Sequence, residues 1–364
     1  MMTFHGNLRQ PERSRTIHLL IPVILAFMSG PAVAQTADSL HPPFAAADAD
    51  SVIPKLAEDL EQKYVLPATG KRYADMLRRN LASGRYAGFA SSGAFAEAVT
   101  RDLQAVARDA HLVLVAPRSD RAAGAAPTSA PPNPPAPIGK SGWIAPGVAY
   151  LEFRSFPSDS ATTTKVRDFL SRHASARALI IDTVDEFSGG WVGEADVLFG
   201  QLFSARRDLV AIDIRKAVDD RIGGLPVGGS LRKVEAPAGI VRYMHSVTPA
   251  QASSLRNTKV IMLISHRTIS SGEHIAFVLK QSRRATLIGE PTRGAGNVES
   301  DFPMPAGYVA VIPFGRAYDP RTGKGWEGTG VQPDIRVRAD QALDRALQLT
   351  GVKMSAKAAL ARLQ

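Results

Sequence analysis

The stretch Lys259-Val260-Ile261-Met262-Leu263-Ile264-Ser265-His266-Arg267-Thr268-Ile269-Ser270-Ser271-Gly272-Glu273 sets the architecture of the chain. Residues 260–264 are continuously apolar and partly β-branched, the pattern of a strand buried on both faces as in parallel sheets. Just beyond, Ile275, Val278 and Leu279 fall at i, i+3 and i+4, one buried face of a helix over residues 273–282. Ser270 therefore lies on a strand-to-helix turn. Such a turn exposes a hydroxyl above the sheet edge and aims free helix N–H groups at any negative charge that forms there. The same letters also spell Ser270-x-x-Glu273, a capping box whose side chains only satisfy backbone donors. Four residues do not separate a cap from a nucleophile, so the rest of the chain has to.

Upstream and downstream of this turn, strands alternate with helices. Residues 148–153, 178–182 and 209–214 read as strands, 163–173 and 195–203 as helices, and 286–289 and 309–313 as further short strands. This alternation predicts an α/β (α+β mixed) layer architecture over residues 141–340. Residues 216–247 carry glycines without a clear period and read only as loop or hairpin. A last amphipathic helical region, 341–364, is broken at Gly351.

The amino-terminal part has a different pattern. Ile53, Leu56, Ala57 and Leu60, then Tyr73, Met76, Leu77 and Leu81, then Phe95, Val99, Leu103 and Val106 form three helical stripes with a break near Leu66-Pro67. They predict a small helical domain over residues 41–117, ending in Asp109-Ala110-His111-Leu112. Residues 118–140, rich in Ala and Pro, cannot build a core and read as a linker.

Residues 1–34 read as an export signal. Arg9, Arg13 and Arg15 precede an apolar run over 17–28, and Ala32-Val33-Ala34 is a small-residue cleavage site. The apolar run is short for a bilayer, so the reading is a cleaved leader without a stable membrane anchor, and a periplasmic or secreted product. The chain has no cysteine, which excludes disulfides, thiolate metal sites and cysteine nucleophiles. Its formal charge of +10 is scattered, with no basic stripe interleaved with aromatics, so nucleic acid is not an expected partner.

A serine hydroxyl at neutral pH needs a base, an orienting group and oxyanion donors. His41, His111, His173, His245, His266 and His274 are the histidines beyond the leader. His274, one helical turn past Ser270, is expected to point elsewhere, and spacing alone does not choose among the others.

Four segments, in order, carry a resemblance that does choose. They are Asp109-Ala110-His111-Leu112; Ile181-Asp182 followed by Gly189-Gly190; Thr268-Ile269-Ser270-Ser271-Gly272-Glu273; and Gly289-Glu290-Pro291-Thr292-Arg293-Gly294 leading to Trp326-Glu327-Gly328-Thr329-Gly330-Val331-Gln332-Pro333-Asp334. The chain resembles the tail-specific, or C-terminal processing, peptidase family, whose relatives include the tricorn core proteases and the interphotoreceptor retinoid-binding protein repeats. The resemblance implies an α/β core of the ClpP/crotonase-like (ββα spiral) type and a serine-type peptidase without metal or other cofactor, acting on a peptide or unfolded protein. One branch of that family uses a lysine base in a Thr-x-Gly-Lys-Gly segment. Here that segment is Thr292-Arg293-Gly294-Ala295-Gly296, and an arginine guanidinium stays protonated and cannot serve as base. The Ser-His branch is therefore implied: Ser270 as nucleophile, His111 as base, Glu327 as supporting carboxylate, and the backbone N–H groups of Ser271 and of Gly189 or Gly190 as oxyanion donors.

The family usually reads Asp-Leu-Arg-x-Asn-x-Gly-Gly, whereas residues 182–190 lack the arginine and carry one extra residue. No PDZ domain fits between His111 and the core. Two rivals stand beside the peptidase reading: a weakly catalytic or non-catalytic binding protein for apolar ligands, like the retinoid-binding relatives, and an esterase using the same acyl chemistry.

Overall fold

The computed structural model describes residues 41–109, 111–118, 135–186, 189–225, 227 and 229–363. The leader-like segment and most of the proline-rich linker lie outside them. Three helices open the chain, α1 (Ala46–Lys63), α2 (Pro67–Ala82) and α3 (Ser92–Val106). Pro67 at the first helical position of α2 needs no N–H there, and Ser91 caps α3 by accepting the Ala94 N–H at 3.2 Å. Val52, Ile53, Leu56, Leu60, Tyr73, Leu77, Phe95, Val99 and Leu103 are all buried. Their stripes belong to one hydrophobic cluster that continues into the sheets.

The strand run read from sequence is the centre of a six-stranded sheet. Its members are β2 (Ile138–Ala145), β3 (Val148–Phe153), β4 (Ala178–Asp182), β8 (Lys259–Ile264), β9 (Ala285–Gly289) and β12 (Ile335–Arg336), in the order β12-β9-β8-β4-β3-β2. Pairing is parallel from β3 to β12, and β2 closes the edge as an antiparallel hairpin with β3. Side chains on β8 alternate between faces. Val260, Met262 and Ile264 join the main core, while Ile261 and Leu263 face a second core with Ala342, Leu343, Ala346 and Leu347 of α8 (Ala342–Leu349) and Ala359 of α9 (Ala356–Leu360). Burial on both faces explains the uninterrupted apolar run, and each such side chain contributes about 1.5–3 kcal/mol.

A second, largely antiparallel sheet gathers β1 (Val113–Val115), β5 (Arg207–Arg215), β6 (Leu231–Val234), β7 (Ile240–Val247), β10 (Asn297–Pro303) and β11 (Val309–Tyr318). Sequence reading anticipated only parts of it. The unplaced stretch 216–247 is helix α6 (Lys216–Ile222) followed by the hairpin β6–β7. The linker reading ends too late, since β2 already begins at Ile138. β1 carries the chain straight from the His111 segment onto β11, with Val113 opposite Val311. The helices α4 (Ser160–Arg172), α5 (Gly193–Leu202) and α7 (Ser271–Gln281) complete the layers. Among the described residues no helix is long and apolar enough to cross a membrane.

Candidate active site

Ser270 stands between β8 and α7 with φ +51° and ψ −108°, one of four non-glycine residues of positive φ among the described ones. A conformation of this kind costs about 1–3 kcal/mol and persists only where its surroundings impose it. Here those surroundings are buried acids and threonines. Glu273 is fully buried, and its Oε2 accepts the Ser270 N–H at 2.9 Å, the carboxylate half of the expected capping box. The same side chain also accepts Thr292 Oγ1 at 2.6 Å, Gly294 N at 2.6 Å and Ala295 N at 2.8 Å. It therefore clamps the 292–295 loop onto the serine turn, a role the sequence reading missed. Burial raises the Glu273 carboxyl above its ordinary range, and these four donors work against that rise.

The turn is also tied to the end of β4. Thr183 Oγ1 donates to Leu263 O at 2.9 Å, Thr268 Oγ1 to Thr183 O at 2.9 Å, and Ser265 Oγ to Val184 O at 2.7 Å. This stitching carries the 183–190 segment to Ser270 in spite of its extra residue. At Gly189 a Cβ would lie 2.3 Å from Ser270 Cβ, 2.8 Å from Ser270 Oγ and 3.4 Å from Ser271 N, so only glycine fits. Gly190 serves a different contact: a Cβ there would overlap Phe156 O at 1.8 Å, and the two residues form an isolated parallel bridge. Ser271, the first residue of α7, offers its N–H at the helix N-terminus, with no acceptor among the described residues.

The histidines divide clearly. His274 points away from Ser270, its Nε2 2.9 Å from His245 Nδ1, and His245 Nε2 lies 2.7 Å from Asp196 Oδ1. His266 is exposed beside Glu290, His173 Nδ1 meets Phe169 O at 2.7 Å, and His41 Nδ1 meets Pro117 O at 2.9 Å. His111 is the one set among several acids. Its Nε2 lies 3.7 Å from Glu299 Oε2, and its Nδ1 is buried with no partner among the described residues. Burial raises the Glu299 carboxyl, with His111 pulling the other way. Glu299 escaped the sequence reading because β10 itself did.

Asp109, His111 and Glu327 bring one ligand-type atom each within 4.8 Å of one another. Such a grouping could suit a metal, yet its carboxylates already accept protein donors. Asp109 takes Tyr64 Oη at 2.8 Å, Asn297 Nδ2 at 2.8 Å and the His111 N–H at 3.0 Å. Glu327 takes the N–H groups of Gly296 at 2.7 Å and Asn297 at 2.9 Å. These acids fix the backbone that presents His111. The 292–297 segment thus joins the two sides. Its first half is held by Glu273, which also holds Ser270; its second half by Glu327 and, through the Asn297 side chain, by Asp109. Ala295, at the position of the other branch's lysine, is buried and contributes only its N–H to this chain.

Residues 147–337 match the model of peptidase family S41, and residues 46–141 match the N-terminal domain of that family as found in eukaryotic interphotoreceptor retinoid-binding protein. A curated relative, the chloroplastic carboxyl-terminal-processing peptidase 1 of Arabidopsis thaliana, is 31% identical over 152 residues, 36% of this chain and 31% of the relative. The match thus spans about a third of that relative's length. Among solved structures, the photosystem II D1 C-terminal processing protease aligns with a TM-score of 0.52 at 15% identity, over 83% of this chain and 97% of the other. A structure from Parabacteroides merdae aligns with a TM-score of 0.58 at 15% identity, over 85% and 98%. At these identities the two structures speak for the fold.

Proposed function

Because the chain belongs to peptidase family S41, we propose that it is an exported serine peptidase in which Ser270 attacks the scissile carbonyl, His111 takes its proton and Glu327 supports the histidine segment. The observation that carries this reading is the Ser270 turn: a positive φ on a serine, a Ser271 N–H without an acceptor among the described residues, and Gly189 pressed so close that no side chain fits. Strain of this kind concentrates at functional positions, whereas an ordinary helix cap has no need of it. In the proposed mechanism the Ser270 hydroxyl adds to the peptide carbonyl as its proton passes to the neutral His111 imidazole. The oxyanion that forms is met by Ser271 N–H at the start of α7 and by the backbone of Gly189. The imidazolium then returns its proton to the leaving amine. Water attacks the acyl-enzyme by the reverse use of the same groups. Acids stand on both sides of His111, with Glu299 Oε2 3.7 Å from Nε2 and Asp109 accepting the backbone N–H at 3.0 Å. The proposed substrate is a peptide or unfolded chain segment; the C-terminal processing relative supports that class. Export rests on the leader-like residues 1–34.

Labelling with a fluorophosphonate probe tests the reading. Wild-type protein should label, and Ser270→Ala should lose both labelling and peptide turnover, the latter by roughly 10⁴–10⁶-fold. Wild-type protein that labels under no condition of pH or added peptide would return the chain to the apolar-ligand binding reading.

A further inference from the structure

The departure of residues 182–190 from the family pattern places an acid, Glu186, under the serine turn. Its side chain is buried, 1% exposed. Oε2 accepts the Ile269 N–H at 3.1 Å, and the carboxyl fills the space where a Gly272 side chain would stand, since a Cβ there would be 1.9 Å from Oε2 and 3.0 Å from Oε1. Oε1 is buried without a partner among the described residues. The backbone of Glu186 is fixed by the same turn, its N–H donating to Thr183 O at 3.2 Å.

These contacts sort the N–H groups around the nucleophile. Ile269 N–H goes to Glu186, Ser270 N–H to Glu273, and Gly272 N–H to Ile269 O at 3.0 Å. Ser271 N–H, between them, is left without an acceptor among the described residues. Two buried carboxyls therefore flank one short turn, Glu273 with four donors and Glu186 with the Ile269 N–H. Both cannot hold a negative charge cheaply when shielded from water. Glu273 has the donors to stabilise an anion. Glu186 is the one left as the acid, and burial together with the Glu273 charge raises its carboxyl well above the usual range. The groups facing it are Glu273 and the Ile269 and Gly272 N–H groups from α7 and its approach, and the Thr183 turn on its own segment. Asp185, next in sequence, pairs outward with Arg267 at 3.5 Å.

We propose that Glu186 is a positioning residue for the Ser270 turn that works as the neutral acid: it takes up the Ile269 N–H so that Ser271 N–H remains for the oxyanion, and it keeps a second negative charge away from beneath that donor. This rests on the reading of Ser270 as nucleophile. Ionisation of Glu186 places an uncompensated anion beside a forming oxyanion, so acylation slows on the alkaline side.

The test is the rate at which a fluorophosphonate phosphonylates Ser270, releasing fluoride, between pH 6.5 and 9.5, each protein normalised to its own rate at the lower pH. Relative to Glu186→Gln, wild-type protein should lose rate as pH rises, by up to about tenfold where Glu186 ionises, because the ionised carboxylate opposes the oxyanion. Glu186→Gln, isosteric with the neutral acid and unable to ionise, should lose less than about twofold. Coincident normalised profiles for the two proteins overturn the proposal. Glu186→Ala, which leaves Ile269 N–H unpaired, should be phosphonylated about tenfold more slowly at pH 6.5, and a rate within twofold of wild type there also overturns it. If this variant does not fold, the Glu186→Gln profile still decides. Wild-type protein that never labels defeats the Ser270 reading itself, a result distinct from labelling with coincident profiles.

Discussion

The two sides of the site are held in opposite ways. On the serine side the turn is fixed: Ser270 sits in a strained conformation, its N–H is bound by a buried acid, and threonines stitch its turn to the neighbouring strand. On the histidine side the backbone is held by Asp109 at the His111 N–H, but the ring makes no such bond, with Nδ1 unpartnered among the described residues and Nε2 3.7 Å from Glu299. The serine turn is thus held by hydrogen bonds on all sides, whereas the buried His111 ring is held by packing, with no hydrogen bond of its own among the described residues.

Beyond Ser270 itself, the largest expected effect on turnover strikes the histidine side, at a smaller cost in stability than the serine side's acid. If His111 is the base, His111→Ala should lower peptide turnover by roughly 10³–10⁴-fold, while emptying this one buried side-chain site should cost about 1–3 kcal/mol of unfolding free energy. Parallel measurement of kcat/KM and urea unfolding checks both halves. A variant that loses several kcal/mol yet keeps turnover breaks the contrast. Glu273→Ala attacks the fixed side and should do the reverse first. It leaves the N–H groups of Ser270, Gly294 and Ala295 and the hydroxyl proton of Thr292 without an acceptor in the interior, while Thr292 Oγ1 still accepts the Val331 N–H. At about 1–3 kcal/mol for each orphaned group, the loss is at least about 4 kcal/mol, much of the stability of a typical domain. Urea unfolding that shows a loss under about 2 kcal/mol would mean the turn holds its shape by other contacts.

The same contrast governs what could be read from the sequence. β3, β4 and β8 were legible because strands covered on both faces carry continuous apolar runs, and α1 to α3 because each buries one stripe. The antiparallel sheet was half hidden. β10, Asn297-Val298-Glu299-Ser300-Asp301-Phe302-Pro303, alternates weakly and carries two acids, and its place is decided by pairing with β11 through a register shift between Val298 and Glu299. Glu299 went unseen with it. Ser270, Ser271, Gly189 and His111 were legible only through the ordered motifs, since each has a commonplace local reading. Glu186 had no pattern of its own, and Asp109 entered only as the first residue of the His111 motif, without a role. Their roles come from donors contributed by residues up to 188 positions away, as in the Asn297 to Asp109 bond.

A smaller effect probes the serine side through its charge. Asp182, at the end of β4, is buried and accepts Tyr150 Oη at 2.7 Å and Val184 N–H at 2.9 Å. Burial outweighs those donors and raises its carboxyl from 3.8 to about 6. The folded protein thus binds this proton more tightly than the unfolded chain does. The stability contributed by this one group is fullest below pH 4 and is lost as pH rises from about 4 to about 6. Above that window the ionised Asp182 costs about 3 kcal/mol, since each tenfold gain in proton affinity on folding corresponds to about 1.4 kcal/mol. Asp182→Asn keeps an acceptor for Val184 and cannot ionise. It should therefore be more stable than wild type by up to about 3 kcal/mol at pH 7.5 and equal to it within about 1 kcal/mol at pH 4, measured by urea unfolding at both values. A gain that is the same at both pH values would trace to packing instead, and would remove ionisation from the forces acting on the strand that leads to Gly189.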